Sequence, residues 1–117
     1  MILEVGVGMA KWVRIGLQGE MPPEGEVREF ICAGKTLCVS RVDGALHVMD
    51  GVCPHRGGPL GMGTIEHGKI VCPWHGWEFD PATGVGVHNS RQAVFQVKVE
   101  AEEIQVELPD DASEPLT

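Results

Sequence analysis

Two short runs of this chain decide its fold: Cys53-Pro54-His55-Arg56-Gly57-Gly58-Pro59-Leu60 and Cys72-Pro73-Trp74-His75-Gly76-Trp77-Glu78-Phe79-Asp80. In each run a cysteine is followed, two or three positions later, by a histidine. Cysteine thiolates and neutral imidazoles are the ligands that soft and borderline metals prefer. The spacing lets both side chains of a run turn toward one point. The sequence therefore predicts a metal site built from Cys53, His55, Cys72 and His75.

This pattern resembles the Rieske family, in which two cysteines hold one iron of a [2Fe–2S] cluster and two histidines hold the other. The resemblance extends through the glycines, prolines and tryptophans of both runs. It implies one [2Fe–2S] cluster bound by Cys53, His55, Cys72 and His75. It also implies an all-β Rieske fold, an antiparallel β sandwich or barrel-like scaffold with a small inserted cluster-binding subdomain. The chain would then be an electron carrier and not an enzyme.

A second interpretation of the same four residues is a zinc site, because two cysteines and two histidines also suit tetrahedral zinc. The chain would in that case be a non-redox binding module that uses the metal only to fold. The glycines, prolines and tryptophans that flank the four ligands favour the iron–sulfur interpretation.

The resemblance also predicts the reduction potential. High-potential members of the family carry two further cysteines at the positions of Gly58 and Trp74, and a serine and a tyrosine at those of Trp77 and Phe79. Gly58 and Trp74 cannot form a disulfide between the two runs, and Trp77 and Phe79 cannot donate a hydroxyl hydrogen bond. Two thiolates and two neutral imidazoles leave the oxidised site neutral, so its reduction potential should lie above that of all-cysteine ferredoxins. Because the further cysteines and hydroxyl groups are missing, we expect a reduction potential of roughly −150 mV, at the low end of the Rieske range.

Residues around the four ligands have expected roles in shaping the site. Gly57, Gly58 and Gly76 would let the backbone pass close to the cluster and aim N–H groups at its sulfides. The apolar side chains expected to screen one side of the cluster from water are Leu60, Trp74 and Trp77. In the family the outer edges of the two histidines, here His55 and His75, stay near the surface, where a redox partner docks.

The resemblance implies two partners. The donor would be a flavin-containing ferredoxin reductase, and the acceptor a terminal oxygenase, most simply that of an aromatic-ring-hydroxylating dioxygenase system. An alternative is the small subunit of an assimilatory nitrite reductase, which is similar to Rieske ferredoxins in size and fold.

Composition limits the remaining function classes. The 117 residues carry a net charge of −8, so no basic patch for nucleic acid is expected. No apolar run is long enough to span a membrane, and the N-terminus lacks the pattern of an export signal. We therefore expect a soluble, cytoplasmic protein with a single domain over 1–117. Met9 is an alternative natural start to Met1.

The sequence pattern is typical of β-strands throughout: the chain has sixteen Gly, eight Pro and no helical periodicity. Asp43-Gly44 predicts a two-residue type I′ turn. A distinct cluster-binding stretch is expected at about 50–80 and a flexible acidic tail at 109–117. Strands are predicted over residues 11–15, 26–33, 35–42 and 45–49, with short strands near Ile65, Ile70 and Val71. Two further strands are predicted near the C-terminus. The first places Phe95, Val97 and Val99 on one face, and the second repeats that alternation at Ile104, Val106 and Leu108.

Several residues outside the two runs have simpler interpretations. Cys32 and Cys38 lie in strand-like segments, where buried free thiols are preferred over a disulfide. Trp12 is expected in the core. The histidines expected to be structural or solvated are His47, His67 and His88.

Overall fold

The computed structural model describes residues 10–109 of the chain. Within that range the backbone forms ten β-strands and two three-residue 3₁₀ helices. The strands are β1 (Ala10–Leu17), β2 (Val27–Cys32), β3 (Lys35–Val42), β4 (Ala45–Asp50), β5 (Thr64–Glu66), β6 (Lys69–Val71), β7 (Glu78–Phe79), β8 (Val94–Phe95), β9 (Val97–Glu100) and β10 (Glu103–Pro109), and the helices are Gln18–Glu20 and Leu60–Met62. The predicted all-β class is confirmed. Over residues 10–109, no helix is long and apolar enough to cross a membrane.

The strands pair into three antiparallel sheets. The first places β10 between β1 and β9, the second has the order β2-β3-β4-β8, and the third and smallest has the order β5-β6-β7. The third sheet is inserted between β4 and β8 in the chain. The Cys53 run lies on the connection that leads into β5, and the Cys72 run begins on the connection between β6 and β7 and continues through β7.

Tight turns hold the β2-β3-β4 meander together. Ala33 and Gly34 have φ values of 53° and 78°, and Asp43 and Gly44 have 54° and 82°. Positive φ at both central residues of a two-residue connection is the pattern of a type I′ turn, whose twist matches that of paired strands. The predicted turn at Asp43-Gly44 is confirmed, and Ala33-Gly34 forms a second turn of the same kind between β2 and β3.

The centre of the second sheet is covered on both faces, because side chains that alternate along β3 enter two different cores. On one face the apolar residues pack with β10 of the first sheet; this scaffold core includes Leu37, Val39, Val48, Ile104, Val106 and Leu108. On the other face they pack against the small sheet; this second core consists of Cys38, Met49, Cys53, Leu60, Ile70, Cys72 and Phe79. The small sheet is thus attached to the scaffold by a shared core as well as by the chain.

Cys32 and Cys38 are buried free thiols, as predicted. They cannot be joined, because Cys32 packs in the scaffold core and Cys38 in the second core. The register of β2 and β3 explains this arrangement: Cys32 is opposite Lys35, whereas Cys38 is opposite Glu29, and directly paired residues share a face of the sheet.

Two sequence predictions were wrong in detail. Trp12 is not in the core: it is 39% exposed on the outer face of β1, where the Lys98 ammonium lies 4.4 Å from its ring centroid. The predicted continuous strand through Phe95 and Val97 is divided at Gln96. Phe95 pairs with Val48 in the second sheet, whereas Val97 pairs with Val106 in the first, so the chain crosses between sheets at that residue.

The domain limits stay predictions. The alternative start at Met9 lies outside the described residues, and so does the predicted tail apart from Pro109, which ends β10.

Candidate metal centre

The Cys53 run forms a narrow loop that closes on its own backbone. The N–H of Cys53 donates to the carbonyl of Gly58 at 2.8 Å, and the N–H of Gly57 donates to the carbonyl of Cys53 at 2.8 Å. Gly57 has φ of 81°, in the left-handed region that glycine adopts without strain. The base of the loop is held by the Leu60 N–H, which donates to the carbonyl of Gly51 at 2.9 Å.

The Cys72 run repeats this turn. The N–H of Cys72 donates to the carbonyl of Trp77 at 2.8 Å, and the N–H of Gly76 donates to the carbonyl of Cys72 at 3.0 Å. Gly76, four residues after its cysteine as Gly57 is after Cys53, has φ of 75°. Two loops of the same backbone design therefore present a cysteine and a histidine each.

At Gly58 the backbone of the first loop passes close to the second loop. A Cβ added at Gly58 would lie 2.7 Å from Sγ of Cys72 and 3.1 Å from the ring of Trp74. Carbon and sulfur do not approach this closely without displacement, so only glycine fits between the two loops at this point.

The structure separates the four predicted ligands into an inner pair and an outer pair. The thiols of Cys53 and Cys72 are buried, at 1% and 3% exposure, against Leu60 and Phe79. The imidazole of His55 is half-buried and that of His75 is exposed. The two imidazoles contact each other edge to face, with centroids 4.8 Å apart and planes at 80°.

Electrostatics differ between the two pairs. Burial raises the pKa of the Cys53 thiol, and the neighbouring Cys72 raises it further, while the backbone N–H groups of His55 and Arg56 act in the opposite direction. Desolvation lowers the pKa of His55, and His75 lowers it further by repulsion between the protonated rings. A neutral imidazole is the form that binds metal, and the two N–H groups favour the thiolate form.

These donors fit a binuclear group that takes two sulfur ligands on one metal and two nitrogen ligands on the other. Among residues 10–109, no three His, Cys, Asp or Glu side chains converge as the ligands of a single ion. The arrangement that the structure does show is a pair of thiols and a separate pair of imidazoles.

Aromatic rings enclose one side of the outer pair. The indole of Trp77 lies parallel to the imidazole of His55, with centroids 4.3 Å apart and planes inclined by 9°. The ring of His88 contacts Trp77 at 4.9 Å. Of the residues expected to screen the site, Leu60 is fully buried below the thiols, whereas Trp74 is 55% exposed. His88, expected to be merely solvated or structural, is part of the site's surroundings.

Sequence reasoning missed Gln92. Its buried side-chain amide donates from Nε2 to the carbonyl of Asp50 at 2.8 Å and to that of Val52 at 2.6 Å. It therefore fixes the backbone immediately before Cys53 from forty residues away. No local pattern marks a lone glutamine for this role.

Asp50 completes the support of the first loop. Its carboxylate accepts the N–H of Val52 at 2.9 Å and pairs with the ammonium of Lys35 at 2.9 Å. The start of the Cys53 loop is thus held by side chains from β3, from β4 and from the segment before β8.

Comparison with known proteins agrees with this geometry. The family model described as the Rieske [2Fe–2S] domain matches residues 11–101. The ferredoxin component of the naphthalene 1,2-dioxygenase system of Pseudomonas aeruginosa is 29% identical over 101 residues, which cover 84% of this chain and 96% of that protein. Longer proteins are also among the curated relatives: the chain spans 21% of the length of one and 15% of another.

Solved structures show the same architecture. The ferredoxin of carbazole 1,9a-dioxygenase from Nocardioides aromaticivorans IC177 superposes with a TM-score of 0.75 at 26% identity, over 86% of this chain and 99% of that one. A ferredoxin-containing complex, described as reduced oxygenase and oxidized ferredoxin in carbazole 1,9a-dioxygenase, gives a TM-score of 0.72 at 29% identity over 81% and 91% of the two chains.

Proposed function

Because this chain belongs to the Rieske [2Fe–2S] domain family, we propose that it is the ferredoxin component of an oxygenase system and carries one electron at a time. The observation that carries this proposal is the pair of matched loops, which bury two thiols and leave two imidazoles at the surface. A naphthalene dioxygenase ferredoxin that the chain covers almost end to end supports it.

In this proposal Cys53 and Cys72 hold one iron and His55 and His75 hold the other. The cluster supplies one-electron redox chemistry when it is bound. The chain contributes the rest: burial keeps water from the thiol side, and the backbone N–H groups of His55 and Arg56 act to lower the pKa of the Cys53 thiol. Hydrogen bonds to a ligand sulfur stabilise its negative charge and so favour the reduced state.

The surroundings of the ligands support a potential near the bottom of the Rieske range. Phe79 is fully buried beneath the loops and has no hydroxyl to donate, and Trp77 lies against the ring of His55. Gly58 and Trp74 occupy facing positions of the two loops, where no disulfide can form. We therefore keep the prediction of roughly −150 mV.

The exposed edge of His75 is the proposed point of electron transfer. Its ring is exposed and contacts that of His55, so a partner docked on this face would come close to both imidazoles. The acceptor we propose is a terminal oxygenase, as in the related carbazole dioxygenase complex, and the donor a flavin-containing reductase.

The test is electron paramagnetic resonance of the dithionite-reduced protein beside iron, sulfide and zinc analysis. We expect a rhombic signal and two irons with two sulfides per chain. Each of the variants Cys53→Ala and Cys72→Ala is expected to lose the signal, because binding of the cluster is coupled to folding of its loops. Stoichiometric zinc without the signal would support a zinc-stabilised module and overturn the proposal.

A further inference from the structure

The indole of Trp77 contacts two imidazoles from different parts of the chain. It lies parallel to the ring of His55, with centroids 4.3 Å apart and planes at 9°, and it contacts the ring of His88 at 4.9 Å and 46°. His55 belongs to the first loop, Trp77 ends the second, and His88 follows β7. The contacts therefore join three segments that are separated along the chain.

The turn that carries His88 is built for this placement. His88 and Asn89 have φ values of 55° and 61°, and the N–H of Ser90 closes the turn on the carbonyl of Val87 at 3.0 Å. The N–H of Val87 bonds to the carbonyl of Glu78, next to Trp77. Positive φ at both central residues is the pattern of a two-residue hairpin turn, and histidine and asparagine are among the non-glycine residues that adopt it most readily.

Stacking restrains the χ2 torsion of His55, which the covalent structure of the side chain does not fix. The χ2 angle of histidine has broad minima, so the direction of its nitrogen lone pairs is poorly fixed in a free side chain. A parallel ring at contact distance blocks rotation about χ2. Within residues 10–109, His75 has no such stacked partner; its ring contacts only the edge or face of His55 at 80°.

We propose that Trp77 is a positioning residue for His55 and that His88 helps to hold the indole in place through its contact with that ring. This inference rests on the proposed role of His55 as an iron ligand. The two histidines of the site are then unequal: the orientation of His55 is imposed by the protein, and that of His75 is set mainly by its own loop.

Three tryptophan variants test the inference. Trp77→Leu removes the stacked ring and keeps apolar bulk, and Trp77→Phe keeps an aromatic face. Trp74→Leu is the matched control, because Trp74 belongs to the same ligand loop as Trp77 but, within residues 10–109, makes no ring stack. The measurements are pulsed electron paramagnetic resonance of the reduced, ¹⁵N-histidine-labelled protein and potentiometric titration.

We expect Trp77→Leu to change one of the two histidine nitrogen couplings and to raise the midpoint potential. The potential rises because water that reaches the freed face stabilises the extra negative charge of the reduced site. Trp77→Phe should change the same coupling by less. Trp74→Leu should leave both couplings as in the wild type. A role in stability alone would lower cluster content without changing the couplings.

His88→Asn tests the contact between His88 and the indole of Trp77. Asparagine tolerates the left-handed conformation, so the turn is kept while the ring is removed. We expect the same single coupling to change, by less than in Trp77→Leu. This variant carries the test if Trp77→Leu binds no cluster.

Wild-type couplings and potential in Trp77→Leu, or equal changes in Trp74→Leu, would overturn the inference. If Trp77→Leu binds no cluster, wild-type couplings in His88→Asn would do so. These results differ from failure of the proposed function, which would show as absence of the rhombic signal in the wild-type protein.

Discussion

The Cα of Gly58 faces the sulfur of Cys72 so closely that an added Cβ would lie 2.7 Å from it. This contact joins the two ligand loops, since Gly58 belongs to the first and Cys72 to the second. The distance between the loops is therefore fixed by the absence of a side chain. Substitutions at this position test whether the loops can separate without losing the site.

Gly58→Ala is expected to lower the thermal midpoint of cluster loss and the iron content of the purified protein. The extra methyl group must displace either the thiol of Cys72 or the ring of Trp74, and overpacking of this kind costs about 1–3 kcal/mol. Gly19→Ala is the control, because nothing lies within 4 Å of the added Cβ there. Visible absorbance followed on heating measures both; equal midpoints in the two variants would contradict the tight contact.

Gln92→Leu should destabilise the first ligand loop. It removes both hydrogen bonds to the carbonyls of Asp50 and Val52, and leaving buried polar groups unpaired costs about 1–3 kcal/mol each. For a domain of this size we expect a midpoint lower by roughly 10 °C. Gln18→Leu removes a single exposed bond to the carbonyl of Ala101 and should change the midpoint little. If the decrease of the thermal midpoint were no larger in Gln92→Leu than in Gln18→Leu, the proposed role of Gln92 would be disproved.

Cys38 gives a pH dependence whose sign follows from its surroundings. Burial, and then the nearby Glu29 carboxylate, raise the pKa of Cys38 from 9.0 to about 12. The unfolded chain loses this proton first as pH rises, so stability is fully present below pH 9.0 and declines between 9.0 and about 12. Urea unfolding across this range should show a shallower decline for Cys38→Val than for the wild type. Identical slopes would mean that the thiol does not contribute.

The same burial predicts the reactivity of Cys38. The thiolate is the nucleophile, and a thiol with a pKa of about 12 is almost fully protonated at neutral pH. In the native protein Cys38 should resist iodoacetamide at pH 7.5, and it should react after unfolding. Mass spectrometry of the peptides measures this, and rapid labelling of Cys38 in the folded protein would be inconsistent with the buried site.

His75→Cys should lower the midpoint potential or abolish cluster binding. A third thiolate adds a negative charge to a site that is otherwise neutral when oxidised, and all-cysteine clusters lie near about −400 mV. His67→Cys is the matched control, because His67 lies in an exposed turn away from both loops. Potentiometric titration distinguishes the two, and a potential for His75→Cys at or above that of the wild type would exclude His75 as a ligand.

The local sequence was enough for features that depend on neighbouring residues. The two Cys-and-His runs identified the family because ligand spacing is set by covalent geometry. Asp43-Gly44 predicted its turn because positive φ is a property of the residues themselves. Alternation placed Ile104, Val106 and Leu108 on one buried face for the same reason.

Only the tertiary structure decided which face of each strand is covered and which distant residues meet. Trp12 lies outward because it is paired with Glu107 of β10, whereas the next residue, Val13, is paired with Val106 and lies inward. Gln92 meets Val52, and Trp77 contacts both His55 and His88, because separate segments are packed on one scaffold. Such contacts depend on sheet register and on the packing of the two cores, which are properties of the whole chain. The sequence by itself determined the set of candidate ligands, and the fold determined how each of them is held.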